Sequence, residues 1–373
     1  MALSRADTSV LGRWWWTVDR WTLAALLSLV GFGYVMLLAA SPGVAARIGA
    51  SSRDLFILKQ VFFLAIASGV MVSISLLPIK MVRRLALLGF AGALLMTMAT
   101  LSIGVEIKGA RRWLHLPGMT LQPSEFLKPC FAVVAAWLLS EGKTLGIRAT
   151  AAACGLFLVV AGVLAKQPDM GMLMVVGSVF FAQLFVAGVN LFIVGLCGAG
   201  GVLAGIGAYV FFPHFQSRID RFLDPAAGDT YQVTVAMEAF GHGGLLGVGP
   251  GEGRLKGMLP DAHADFVFAV AGEEFGLAIC LLILTVFGFV VLRGLLRLLG
   301  EKDMFIILGA TGLLTQFGLQ AFINMASALH LIPTKGMTLP FISYGGSSVV
   351  AVALGMGMLL ALTRRRLARM EEE

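Results

Sequence analysis

Leu259-Pro260-Asp261-Ala262-His263-Ala264-Asp265-Phe266-Val267-Phe268 opens a run that stays apolar to about residue 292. Three titratable side chains stand directly before a segment long enough to cross a bilayer, for which ~17–25 residues suffice. Carboxylates are costly at the edge of a membrane, so their gathering here marks the first place to look for chemistry. The surrounding composition agrees with a membrane setting. Of 373 residues 58% are hydrophobic and 13% charged, with a mean hydropathy of +0.90. A soluble chain of this length would need far more polar surface.

Ten apolar stretches can be counted, near 21–40, 55–77, 85–103, 124–140, 149–165, 170–187, 190–212, 266–292, 304–325 and 345–362. The expected fold is therefore an all-α polytopic membrane protein with about ten transmembrane helices. The weakest stretch is 124–140, which carries Glu125 and Lys128 at its start. The first is too long for a signal-peptide core and is expected to stay as an anchor. With both termini inside, Lys and Arg are roughly twice as dense in the inner segments as in the outer ones, which sets the orientation. The divisions are a cytoplasmic tail over 1–20, a single ten-helix domain over 21–362 and a second tail over 363–373. One outer loop, 213–265, runs between the seventh and eighth spans, and long ordered loops tend to carry function.

The outer segments keep Arg111, Arg112, Lys128, Lys166, Arg218, Arg221, Arg254, Lys256 and Lys335. Singly these read as solvated charges; together they suit an anionic headgroup, and guanidinium grips phosphate best. Asp265 has two readings. It could cap the eighth span, although Phe268 at the third helical position gives no capping box. It could instead be a general base. If the helix began near Asp261, Asp261 and Asp265 would share a face. Glu273 and Glu274 would then lie ~12–14 Å deeper, where partial desolvation raises carboxyl pKa values into a useful range. His263 with the two aspartates gives only a weak metal signal, because positions 263 and 265 do not converge on a helix. Glu125 and Lys128 could be a local ion pair, and Lys166-Gln167-Pro168-Asp169 a turn with Asp169 capping the next helix. Thr315, Gln316, Gln320 and Asn324 form a polar stripe suited to bonding between helices, or to lining a cavity. The glycine-rich run 241–253 lacks the strand–helix setting of a phosphate loop. The four cysteines include no CxxC pair and read as small apolar residues.

Several motifs occur together in order along the chain: Gly109-Ala110-Arg111-Arg112-Trp113, Gln122-Pro123-Ser124-Glu125, Gln167-Pro168-Asp169-Met170-Gly171, Arg218-Ile219-Asp220-Arg221-Phe222-Leu223-Asp224-Pro225, His263-Ala264-Asp265-Phe266, Pro333-Thr334-Lys335-Gly336 and Leu339-Pro340-Phe341-Ile342-Ser343-Tyr344. In this the chain resembles the SEDS (shape, elongation, division and sporulation) family, and within it the division branch more than the elongation branch. The resemblance implies a peptidoglycan glycosyltransferase that polymerises lipid II at the outer face of the bacterial cytoplasmic membrane, at the division septum. It implies partnership with a class B penicillin-binding protein and other division-complex membrane proteins, and no nucleic acid. Residue by residue, Asp265 matches the family's essential loop aspartate, and Glu125, Lys128 and Asp169 match its cavity charges. Arg111, Arg112, Lys166, Arg218, His263, Lys335 and Ser343 complete the candidate substrate site. No organic cofactor is expected; a divalent cation, Mg2+ or Mn2+, could assist in holding the diphosphate. Two rival classes stay open from sequence: a lipid II flippase, and a division scaffold without chemistry of its own.

Overall fold

The structure is a computed structural model that describes residues 9–48, 53–107, 110–116, 119–224, 231–259, 261–333 and 336–365, with the side chains at 40–56, 107, 116, 119, 143, 145, 213 and 214 also left aside. In chain order the helices are α1 (Val10–Thr17), α2 (Arg20–Ile48), α3 (Arg53–Ser75), α4 (Ile79–Ile103), α5 (Pro123–Ser140), α6 (Gly142–Leu145), α7 (Ile147–Lys166), α8 (Met170–Val186), α9 (Leu191–Phe211), α10 (Pro213–Leu223), α11 (Tyr231–Gly243), α12 (Val267–Leu298), α13 (Met304–Ala328) and α14 (Gly346–Leu362). Every one of the ten apolar stretches is helical. Seven of them (α2, α3, α4, α7, α9, α12 and α13) are long and apolar enough to cross a membrane. The chain is a predominantly helical, polytopic membrane protein.

The polar exceptions explain the layout. α13 is 72% buried over its most apolar window and α9 only 11%, so α13 is central and α9 peripheral. α5, the least apolar of the ten stretches, is buried along nearly its whole length. A helix with Glu125 and Lys128 at its start can occupy that position because neighbouring helices, not lipid, surround it. Gln183 stitches the centre together: its Nε2 donates to Ala132 O at 2.6 Å and to Leu308 O at 3.1 Å, tying α8 to α5 and α13. Such bonds substitute for the hydrophobic drive that lipid does not supply between helices. Of the four free thiols, Cys130 and Cys280 are buried whereas Cys197 is exposed on α9.

Three features depart from the expectation. The fold is not wholly helical, since β1 (Val105–Ile107), β2 (Ala110–Leu116) and β3 (Met119–Leu121) form a small antiparallel sheet in that order. The segment 213–265 is not one loop; it contains α10, α11 and a short 3-10 turn at Leu255–Gly257. The eighth span runs to Leu298 and is broken at Gly276, with φ 75° and ψ −175°. The broken helix receives the loop that precedes it. Leu277 N donates to Gly244 O at 2.9 Å and Ala278 N to Leu245 O at 3.2 Å, while Val248 N and Gly249 N donate to Glu273 O and Glu274 O, each at 3.0 Å. Only glycine fits at the break: its positive φ excludes other residues, and an added Cβ would lie 2.4 Å from Gly247 N.

Candidate functional site

Asp265 sits in a turn immediately before α12. Its N–H donates to Asp261 O at 3.1 Å. The residue capping α12 is Phe266, with no side-chain cap bond, so the capping role open to Asp265 in the sequence is not taken. The turn is gripped from two sides. Asn324 on α13 donates from Nδ2 to Asp265 O at 3.0 Å and to Met337 O at 2.6 Å. From the other side Tyr344 N donates to His263 O at 2.8 Å, and Ser343 Oγ donates to Ala264 O at 2.5 Å while accepting from Leu339 N at 2.8 Å. Burial holds the His263 imidazole below its usual pKa against the opposing pull of Asp261, and its ring lies edge-on to Tyr344 at 5.4 Å. Gly336 passes so close that a Cβ there would stand 3.2 Å from Asp265 Oδ2.

A cation lies within electrostatic reach of this carboxylate. Arg218 on α10 has its pKa lowered by burial first and by Arg112 second; Asp265 opposes this, Arg221 adds to it, and Asp169 opposes it. Those named influences place Arg218 within electrostatic reach of two guanidinium and two carboxyl groups. α10 is set over the end of the bundle by Tyr209 Oη, which donates to Asp220 Oδ1 at 2.8 Å, and by Phe222, edge-on to His330 at 5.0 Å. Arg112 comes from β2. Its guanidinium donates to Gln167 O at 3.1 Å and to Pro168 O at 2.5 Å, and stands 3.5 Å from Asp169 Oδ1. Asp169 also accepts from Met172 N at 3.2 Å, so it is both helix cap and member of the cluster. Gln167 anchors the turn to α4 through Thr97 O, at 3.1 Å, and Thr100 Oγ1.

A second polar group lies deeper. Lys128 Nζ is 2.8 Å from Glu125 Oε2, with the lysine side chain 2% exposed. Lys128 also donates to Gln320 Oε1 at 2.9 Å, and Gln320 Nε2 donates to Thr338 O at 3.1 Å. Ser348 Oγ bonds both Thr338 Oγ1, at 2.7 Å, and Glu125 Oε2, at 3.2 Å. A buried pair held by this many further bonds offsets its desolvation. Asn324, one turn along from Gln320, carries the same stripe to the backbone of Asp265. Gln320 and Asn324 of the α13 stripe therefore bond between segments, as its spacing suggested, whereas Gln316 Oε1 is buried without a partner among the described residues.

The sequence candidates divide accordingly. Asp265, Arg218, Arg112 and Asp169 form one cluster, with His263 in the same turn as Asp265. Glu125 and Lys128 form the connected inner pair. Ser343 does not line a cavity; it is fully buried and its hydroxyl is committed to main-chain groups. Arg111 pairs with Glu106 at 3.4 Å on the half-exposed hairpin, and Lys166 is exposed at the end of α7. Lys335 lies outside the described residues. Glu273 and Glu274 are not base candidates on the face of a continuous helix. Glu273 accepts from the N–H groups of Arg254 at 2.8 Å, Leu255 at 2.9 Å and Lys256 at 3.2 Å. Glu274 pairs with Lys256 Nζ at 2.5 Å and accepts from Gly251 N at 3.1 Å. These two carboxylates fasten the loop. Arg221 and Asn324 are the additions that sequence reasoning left unassigned; the Arg218–Arg221 spacing and the α13 stripe were the available signals. Among the described residues no three His, Cys, Asp or Glu side chains gather as a metal site.

A carboxylate beside partly buried guanidinium groups can take a proton from a hydroxyl while the cations hold a phosphate leaving group. Residues 20–367 match the FTSW_RODA_SPOVE family, described as cell cycle proteins. The chain is 44% identical to the probable peptidoglycan glycosyltransferase FtsW of Caulobacter vibrioides, over 98% of this chain and 94% of that one. It is 35% identical to the probable peptidoglycan glycosyltransferase FtsW of Trichlorobacter lovleyi, over 91% and 92%. Among solved structures it is similar to a chain from a peptidoglycan synthase complex that coordinates polymerization and crosslinking, with a TM-score of 0.76, 26% identity, and 93% and 97% of the two chains covered. It is also similar to the rod shape determining protein RodA of Thermus thermophilus, with a TM-score of 0.67, 26% identity, and 94% and 97% covered. With a family match spanning nearly the whole chain, this protein belongs to the FtsW/RodA/SpoVE family of cell cycle proteins.

Proposed function

We propose that peptidoglycan glycosyl transfer by this chain takes place at the Asp265–Arg218 cluster, with lipid II as substrate. The chain is a peptidoglycan glycosyltransferase, a multi-pass membrane enzyme. The observation that carries the site assignment is the Asp265 carboxylate within electrostatic reach of Arg218, which also feels Arg112, Arg221 and Asp169. Asp265 takes the proton from the acceptor sugar hydroxyl as its oxygen attacks the donor's anomeric carbon. The bond from that carbon to the pyrophosphate breaks, and the departing undecaprenyl pyrophosphate carries the electron pair away. Arg218, Arg112 and Arg221 balance its charge. A base of this kind contributes ~10²–10⁴-fold, and one carboxylate suffices for a single displacement, unlike the pair typical of glycosidases. The polyprenyl tails lie between the spans, which confines both substrates to two dimensions and raises their effective concentration.

The ten helical stretches all cross the membrane, with both termini on the cytoplasmic side and the cluster on the outer face. The partner is a class B penicillin-binding protein that crosslinks the strands, at the division septum of the cytoplasmic membrane. The test is polymerisation of fluorescent lipid II by the purified chain together with its transpeptidase. Asp265→Asn is expected to insert and fold normally and to lose at least ~100-fold in rate. Wild-type polymer from that variant removes Asp265 from the base role.

A further inference from the structure

We propose that a pocket at the end of the bundle opposite Asp265 binds the phosphodiester headgroup of an anionic phospholipid. α14 spans the distance between the two sites: Ser348 at its start belongs to the Glu125 network, and Leu362 at its end lines the pocket. Seventeen helical residues separate them by ~25 Å. The pocket encloses about 340 Å³ between α1, the α3–α4 turn and the residues following α14. Arg13, Arg364 and Arg365 line it, and among the described residues no carboxylate does. Like charges around one hollow repel, and an anion between them removes that cost. Burial lowers the Arg364 pKa, in keeping with a guanidinium drawn out of water.

The site is built rather than accidental. Trp14 Nε1 donates to Ser75 Oγ at 2.9 Å, Arg364 donates to Leu76 O at 3.3 Å, and Arg365 N donates to Thr17 O at 2.9 Å. These bonds join α1, the end of α3 and the chain after α14 into one wall. The remaining walls are apolar, with Leu76, Ile79 and Leu362 among them, which suits the glyceryl end of a lipid better than a hydrated free ion. The depth is right as well. Arg20 lies over the rings of Trp15 and Trp16 at 5.7 and 5.0 Å, and Trp21 and Leu11 are 68% and 58% exposed. Amphipathic aromatic residues of this kind collect at the headgroup layer.

Native mass spectrometry of the full-length chain in detergent tests this with three titrants: phosphatidylglycerol, phosphatidylcholine and inorganic phosphate. Phosphatidylglycerol is expected to bind at least ~10-fold more tightly than phosphatidylcholine, and the double substitution Arg13→Gln/Arg365→Gln to abolish that preference. Arg13→Lys/Arg365→Lys, which keeps both charges, should retain most of it, and Arg148→Gln on exposed α7 should retain all of it. Equal binding of the two lipids overturns the proposal, as does an unchanged preference in the Gln double variant. Inorganic phosphate that binds as tightly as phosphatidylglycerol and displaces it also overturns it, because the pocket would then be a free-phosphate site.

Discussion

Substituting Glu273 by glutamine separates two meanings of a buried carboxylate. Its Oε1 accepts from Arg254 N and Leu255 N, its Oε2 from Lys256 N, and the side chain is fully buried. Glutamine keeps the shape and can still accept two of the three N–H groups with its single oxygen. The amide nitrogen then faces the third donor. Each retained bond loses its charge assistance, ~1 kcal/mol, and the orphaned N–H costs ~1–2 kcal/mol more. The sum, ~3–4 kcal/mol, corresponds to a 10²–10³-fold rise in opening of the loop, at ~1.4 kcal/mol per factor of ten. Hydrogen exchange at the amides of Arg254, Leu255 and Lys256 reads this directly. The same loop leads through Leu259 to Asp265, so polymerisation is expected to fall as well. Wild-type exchange at those amides in Glu273→Gln refutes the anchoring argument. Lost polymerisation with unaltered exchange would place Glu273 in the chemistry instead.

Lys128→Met strands Glu125 in the centre of the bundle and should lower stability by ~3–5 kcal/mol, whereas Lys128→Met with Glu125→Gln should recover most of it in thermal unfolding; equal destabilisation of single and double variants counts against the pair. Gly336→Ala places a methyl 3.2 Å from Asp265 Oδ2 and should slow polymerisation ~10-fold or more without moving the unfolding temperature; an unchanged rate means the carboxylate is free to move aside. Burial raises the Asp19 pKa, but hydrogen bonds from Arg293, Thr22 and Arg297 outweigh it and hold the carboxyl at about 2, below its usual 3.8. The folded value is depressed, so Asp19 stabilises the protein above about pH 4, and that contribution, ~2 kcal/mol, is lost as the pH falls towards 2. Asp19→Asn should remove that part of the acid transition, measured as unfolding temperature against pH.

Length and hydropathy were enough to find all ten helical stretches, because a membrane-crossing run of apolar residues needs no partner to be recognised. α5 was the weakest by composition yet is among the most buried, since the cost of Glu125 and Lys128 is offset across helices by Gln320 and Ser348. The strands over 105–121 were not read because two of them are only three residues long. α10 and α11 were absorbed into a loop because each is short and polar beside the spans. Asp265 stood out because it directly precedes an apolar helix. Its relation to Arg218 and Asp169 depends on how α8, α10 and α12 converge, which no periodicity encodes. Glu273 and Glu274 were read as deep groups on an unbroken helix. The break at Gly276 and the loop that folds back onto them are long-range events, and the isolated glycine was the one local hint.

The interruption at Gly276 also ties two distant stretches of the chain into one unit. The segment Val267–Phe275 is coupled to the rest of α12 partly through the carbonyls of Gly244 and Leu245, which take the N–H groups of Leu277 and Ala278. The stub that follows Asp265 and the outer loop are therefore joined by four main-chain bonds across the break, so disturbing one disturbs the other.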